Sequence, residues 1–426
     1  MAHILTDFKA FLDSSPTSWH AVEQLGNRFA MQDFSPLSEN EKWQLEPGKN
    51  YFFTRGGALC AFSLPESTPN RALIVTSHTD SPSLKIKPKP TFHKENMALL
   101  GVEVYGSPLI NSWLNRDLGI AGRIVITNGN DEPEERLVFV DDAPLFIPQL
   151  AIHLDKDVNE KGLILNKQEH LCPVLGLEKT SDNPLAALEK LLRRHLSFHS
   201  LLSFDLFLAP LEQARFMGCE GEMLASSRLD NLAGVRASAT ALAGCTRSSE
   251  NCLRIALFLD NEEIGSHTKE GAGSPLLSDV LKRIALALKI DEEEQILIKN
   301  NSLCVSVDMA HALNPNFMQK YDPNHQPLLG KGIVLKHNAD HKYATNARSS
   351  AVIVSACHEL NLSLQNFVSR ADMPCGSTVG PIIAHTEGIN TVDIGCPQLS
   401  MHSIREVMAC QDYLDMSRLL NFLFQQ

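Results

Sequence analysis

No stretch of the sequence is apolar for long enough to cross a membrane, and the N-terminus has no apolar signal core, since Asp7 already sits within an early helical pattern. A cytoplasmic protein with no membrane partner is therefore expected. The ten cysteines form no Cys-x-x-Cys pair and no regular spacing. Their mostly apolar neighbours fit reduced, buried thiols and argue against a structural thiolate zinc site. No Gly-x-Gly-x-x-Gly follows a strand-like run, which disfavours a nicotinamide-dependent enzyme. Cations are in short supply: 38 Lys and Arg against 50 Asp and Glu give a net charge of −12. Nucleic acid is not expected as a partner, because its phosphates need a basic face. An acidic ligand would have to be drawn in by local cations against the global field. Internal repeats and low-complexity tails are absent as well.

What is present is an ordinary globular composition, 43% hydrophobic and 21% charged, over 426 residues. That length exceeds one typical core and predicts two domains, or one large α/β domain carrying an insertion. The most informative stretch is Leu253-Arg-Ile-Ala-Leu-Phe-Leu-Asp-Asn-Glu-Glu-Ile-Gly-Ser266. Its unalternating apolar run suits a strand buried on both faces of a parallel sheet, ending in Asp260, Glu262 and Glu263. Ligands of open α/β sheets gather at that carboxyl edge. On an extended backbone the adjacent glutamates point apart, so one can hold a metal while the other faces a substrate water. A solvated acidic loop is the plain alternative.

Two further apolar runs end in metal-binding residue types. Ala72-Leu-Ile-Val-Thr-Ser-His78 leads into Asp80, and on an extended segment the Asp80 carboxylate shares a face with the His78 imidazole. Ser302-Leu-Cys-Val-Ser-Val-Asp308 ends in a carboxylate. Asp230 opens the Ala-rich helical segment 232–243, where it could be a helix cap. His402 lies in a loop after the strand-like segment 389–395. Between residues 91 and 219 the texture changes to short β-like runs separated by Gly, Asn, Asp and Pro, with one helix expected from Asp182 to His195. This block reads as a β-rich module inserted into an α/β domain formed by residues 1–90 and 220–426. Its His153 sits in a short apolar segment, Leu150-Ala-Ile-His-Leu154, and reads by itself as a hydrogen-bonded core histidine.

His78, Asp230, Glu262, Glu263, Asp308 and His402 together supply two imidazoles and three carboxylates, with one glutamate to spare. That set can hold two zinc ions through nitrogen and oxygen with one carboxylate bridging; manganese or cobalt would also suit it. The spare glutamate could take a proton from water and return it to a leaving amine.

The motifs Ser77-His-Thr-Asp-Ser-Pro82, Ser227-Arg-Leu-Asp-Asn231, Asp260-Asn-Glu-Glu-Ile-Gly-Ser266, Ser306-Val-Asp-Met-Ala-His311, Lys342-Tyr-Ala-Thr-Asn346, Asp372-Met-Pro-Cys-Gly-Ser-Thr-Val-Gly-Pro381 and Met401-His-Ser-Ile-Arg-Glu406 closely resemble those of the aspartyl aminopeptidase family of di-zinc metallopeptidases. They occur in the family's order along nearly the whole chain. The resemblance implies a mostly parallel, helix-flanked sheet of zinc-exopeptidase type, with residues 91–219 as a β-rich dimerisation domain. It also implies that His78 and Asp308 hold one zinc, that Glu263 and His402 hold the other, and that Asp230 bridges them. Glu262 would be the general base, and Asp80 would orient His78. Lys336 would be the cation that selects N-terminal Asp or Glu, with Tyr343 as a neutral donor; from the sequence alone, Lys336 reads as a solvent-facing lysine near a strand end. His153 matches a histidine that the family places in a neighbouring subunit's site, within a homo-oligomer, a dodecamer built from dimers. His337, after Lys336, and His341, before Lys342 and Tyr343, depart from the family's pattern, in which less histidine is expected; this bears on the preference between Asp and Glu. Two other functions compete with this reading: a zinc aminopeptidase of broad or neutral specificity, and a catalytically silent binding scaffold on the same fold.

Overall fold

The computed structural model describes residues 2–129, 132–177, 183–245 and 251–426. Its strands, in chain order, are β1 (Phe34–Pro36), β2 (Asn50–Arg55), β3 (Ala58–Ser63), β4 (Arg71–His78), β5 (Ser83–Lys94), β6 (Met97–Tyr105), β7 (Leu118–Thr127), β8 (Glu134–Leu145), β9 (Val174–Leu177) and β10 (Ser200–Pro210). They continue as β11 (Arg215–Met217), β12 (Met223–Ser226), β13 (Cys252–Leu259), β14 (Leu303–Val307), β15 (Ala310–His311), β16 (Ile333–His337), β17 (Leu364–Val368), β18 (Asn390–Gly395), β19 (Pro397–Leu399) and β20 (Glu406–Ala409).

The main sheet runs β1-β2-β3-β13-β4-β14-β18-β16-β17. Its centre, β13, β4, β14 and β18, is parallel, while β3 and β16 join it antiparallel. The sheet is mixed with a parallel core, as the apolar runs predict. All eight residues of β13 are buried. Leu253, Ile255, Leu257 and Leu259 enter a core shared with the helix Leu276–Leu288. Ala256 and Phe258 face the opposite core, shared with the helices Leu229–Ala243 and Cys410–Gln425. Apolar packing on both faces explains why the run does not alternate. The helix Leu229–Ala243 is itself buried almost all round, and its small residues let it approach the sheet closely. A Cβ on its Gly234 would lie 3.0 Å from the Val307 carbonyl oxygen.

A second sheet, β8-β7-β10-β5-β6-β9, is antiparallel and has its own core, which includes Leu84, Ile120 and Leu206. It begins at Ser83, so the boundary expected at residue 91 falls inside β5. The other expected boundary, residue 219, lies between β11 and β12 of a third sheet, β11-β12-β20-β19-β15. The helix expected from Asp182 to His195 is shorter, Ala186–Leu192; Asp182 lies outside the described residues. Among the described residues, no helix is long and apolar enough to cross a membrane.

Candidate metal centre

Three neighbouring strands deliver their ends to one place. His78 closes β4, Asp308 follows β14, and Glu262 and Glu263 follow β13. Asp230 arrives from the first turn of the helix Leu229–Ala243, where its backbone is not helical (φ −81°, ψ 108°) and the N-cap position is held by Arg228 instead. His402 comes from the turn between β19 and β20, with a left-handed φ of +65°. A non-glycine residue held there costs on the order of 1 kcal/mol, so the surrounding structure must impose it. The extended backbone expected at Glu262 and Glu263 is not present. Asn261 turns the chain at φ +63°, and Glu262–Ile264 forms one 3-10 turn.

The Asp230 carboxylate is central. Its Oδ1 lies 3.3 Å from His78 Nε2 and its Oδ2 lies 3.5 Å from His402 Nε2. His78 Nε2 is also 3.5 Å from Asp308 Oδ1, and His402 Nε2 is 3.3 Å from Glu263 Oε2. His78, Asp230 and Glu263 each offer an atom within 4.8 Å of the others. Tetrahedral zinc with ligands about 2.0–2.1 Å away separates neighbouring ligand atoms by about 3.3 Å, so these spacings fit ligands around shared ions.

The imidazoles are oriented for that purpose. His402 Nδ1 is 3.0 Å from the Ser107 carbonyl oxygen, and His78 Nδ1 is 3.1 Å from the Asp80 carbonyl oxygen. A neutral ring donating its Nδ1–H to these acceptors turns the Nε2 lone pair toward the carboxylates. Electrostatics also call for cations here. Burial pushes Glu262 up to about 8, with the charges of Asp308, Asp80 and Asp230 adding to it against His78. Glu263 is raised well above the usual range by burial and by Asp230. His402 is pushed up to about 10: burial opposes the shift, but Asp230 and Glu263 outweigh it. Asp230 Oδ1 and Glu263 Oε1 are buried oxygens without a hydrogen-bond partner among the described residues. A positive ion would satisfy these groups, so the donor set fits zinc.

Residues 11–424 match the family model described as Aminopeptidase I zinc metalloprotease (M18). The chain belongs to the M18 family of zinc aminopeptidases. A probable M18 family aminopeptidase 2 of Streptomyces avermitilis is 40% identical, with the match covering 98% of this chain and 96% of that protein. The aspartyl aminopeptidase of Dictyostelium discoideum is 37% identical, over 99% of this chain and 96% of that protein. Among solved structures, the mApe1 dodecamer of S. cerevisiae superposes with a TM-score of 0.87 at 27% identity, covering 99% of this chain and 96% of that one. The zinc-exopeptidase fold expected from the sequence is thereby shown.

The supports around this M18 centre act through hydrogen bonds that the sequence does not display. The Asp80 carboxylate accepts the backbone N–H groups of Glu262 (3.1 Å) and Glu263 (3.2 Å) and the hydroxyl of Tyr105 (2.8 Å). It therefore holds the glutamate turn, while its Oδ1 stays 3.4 Å from His78 Nδ1. Tyr105 belongs to the second sheet, so that sheet helps to build the centre. Asp260 accepts hydrogen bonds from the Asn261 N–H and the Ser18 hydroxyl, which makes it a brace for the turn. A Cβ on Gly57 would meet Asp260 Oδ2 at 1.9 Å, so only glycine fits there. Glu406 is buried and accepts the backbone N–H groups of Asp230 (3.0 Å) and His402 (2.8 Å). Its one sequence clue is its place four residues after His402.

Lys336 is not the solvent-facing lysine that its local sequence implies. It is 1% exposed, with Nζ 3.2 Å from Asp308 Oδ2, 3.1 Å from the Met309 carbonyl oxygen and 5.1 Å from the centre of the Tyr343 ring. Tyr343 is buried and lines a cavity of about 300 Å³ together with His311, Phe367 and Arg370. His153 is not a core histidine: it lies on an exposed turn, and Leu150, Ile152 and Leu154 around it are exposed too. A short apolar segment implies burial, and this one has none within its own chain.

Proposed function

We propose that this M18 aminopeptidase removes unblocked N-terminal Asp or Glu from peptides at a centre of two zinc ions. In this reading His78, Asp308 and Asp230 hold one ion, and Asp230, Glu263 and His402 hold the other. Bound zinc supplies Lewis acidity, which polarises a carbonyl and lowers the pKa of water. Glu262 takes the proton of the attacking water and returns it to the departing amine nitrogen. Asp80 holds the Glu262 and Glu263 backbone in place and orients His78.

The observation that carries the acidic preference is the ammonium of Lys336, buried against Asp308 beside the Tyr343 pocket. A buried cation there offers an acidic first side chain a charge-assisted hydrogen bond, with the Tyr343 hydroxyl as a further donor. The Dictyostelium relative's name supports the same preference. A broader specificity is favoured by two other facts: the Streptomyces relative carries only the generic name, and Asp308 already engages the Lys336 charge. Zinc-loaded enzyme assayed on Asp-, Glu- and Leu-terminated peptides separates the two, and faster release of Leu would refute the acidic assignment.

The exposed apolar turn around His153 suits cover by a second copy of the chain. In that arrangement the module built on the second sheet carries oligomer contacts, His153 enters a neighbour's site, and the assembly is a dodecamer built from dimers, in keeping with the mApe1 relative. Light scattering on the purified protein tests the assembly; a monomer would refute it.

A further inference from the structure

We infer that Glu406 is a positioning residue that sets His402 against Asp230 before metal binds, and so governs the affinity of the His402 half of the centre. The inference rests on the proposed roles of these two residues as ligands. Glu406 opens β20 opposite Ser226 of β12, the strand from which the chain runs on to Asp230. This places one carboxylate between two segments that lie far apart in sequence. Its Oε2 accepts the Asp230 N–H at 3.0 Å, and its Oε1 accepts the His402 N–H at 2.8 Å. The Gln398 amide, 3.4 Å from Oε1, steadies the same group. With both oxygens engaged by backbone donors, Glu406 acts through the two residues it holds.

The geometry at His402 makes this hold consequential. Ser400 and His402 both have left-handed backbones, with φ of +59° and +65°. L side chains rarely adopt that region, so a free loop would leave it. The His402 N–H bond to a buried carboxylate holds the loop in that shape together with the bonds from Leu109 N–H to the His402 carbonyl oxygen and from Ile404 N–H to Ser112 Oγ, and it is the one that also ties His402 to Asp230. The imidazole then stands with Nε2 3.5 Å from Asp230 Oδ2 and 3.3 Å from Glu263 Oε2. His78 and Asp308 sit at the ends of strands of the main sheet and do not depend on this bond.

The test is stepwise zinc titration of wild type and Glu406→Gln against a chromophoric chelator, with the visible spectrum of the cobalt-loaded protein as a second readout. The amide keeps one acceptor and turns an NH2 toward the other backbone donor. One binding step should weaken about 10- to 100-fold, the other less, and the cobalt bands should change. Unchanged affinity in both steps would overturn the inference. Amide hydrogen exchange on wild type tests the same hold even if the variant does not fold. The His402 amide, which donates to Glu406, should already be protected in the metal-free protein, and protection that appears only after zinc is added would overturn the inference. A wild type that takes up no zinc would instead refute the ligand assignment, while the exchange result would still decide whether Glu406 holds the loop.

Discussion

Replacing Glu262 with glutamine keeps the side chain's size and removes its capacity to carry a proton. The fold around it should not notice, because its backbone N–H is held by Asp80 at 3.1 Å whichever side chain stands there. Neither should the zinc, since in the proposed ligand set Glu262 is not a ligand. Burial and the nearby Asp308, Asp80 and Asp230 charges push Glu262 up to about 8, so a neutral amide relieves repulsion. The metal-free variant should therefore melt no lower than metal-free wild type. A positioned general base contributes about 10²- to 10⁴-fold, which is about 3–5 kcal/mol of barrier at about 1.4 kcal/mol per tenfold. Steady-state kinetics on an Asp-terminated peptide, with zinc measured on the same samples, should show kcat lower by about a hundredfold or more, with KM and zinc content near wild type. A fully zinc-loaded Glu262→Gln enzyme with kcat within about tenfold of wild type would refute Glu262 as the base.

Asp80→Asn leaves one acceptor where three donors converge, and zinc affinity, read by chelator competition, should fall about 10- to 100-fold. Lys336→Met removes the cation beside Asp308; the ratio of kcat/KM for Asp- over Leu-terminated peptides should fall about tenfold or more, whereas an unchanged ratio would mean that Lys336 does not read the substrate. Metal removal should make stability depend on pH. Without metal, burial raises Glu262 and Glu406 to about 8 and Asp260 to about 7, and the Asp230 charge adds to the rise at Glu406. A carboxyl raised in this way favours the folded state when protonated, so its contribution is complete below about pH 4 and is lost as pH rises through about 7–8. His402, raised to about 10, adds a loss in the same direction between pH 6.5 and about 10, while Asp230, held low, titrates below this range. Calorimetry should show the chelated protein's Tm falling between about pH 5.5 and 8.5, with zinc-loaded protein much less affected. A Tm that rises over that range would refute this account of the cluster.

The amino-acid order determined a good deal unaided. Apolar runs too long and too uniform for a half-exposed strand required the double-sided burial that β13 shows, and the residues just past them had to emerge at the sheet's carboxyl edge. The types found there, His78, Asp308, Glu262 and Glu263, are ones that ligate metals or move protons, so a metal-dependent reaction was legible in the sequence alone. Tertiary structure decided what depends on segments remote in sequence. Lys336 reads as a surface lysine until β16 is set beside β18 and the ammonium meets Asp308. His153 reads as a core residue until its turn is seen to lie on the outside. Tyr105 and Ser107 give no local sign that they hold Asp80 and His402, and the motif that contains Glu406 does not show that its carboxylate holds both His402 and Asp230. The reason is physical. Periodicity and residue type are properties of a short window and survive in the sequence, whereas a hydrogen bond exists only once folding has brought its two ends within about 3 Å.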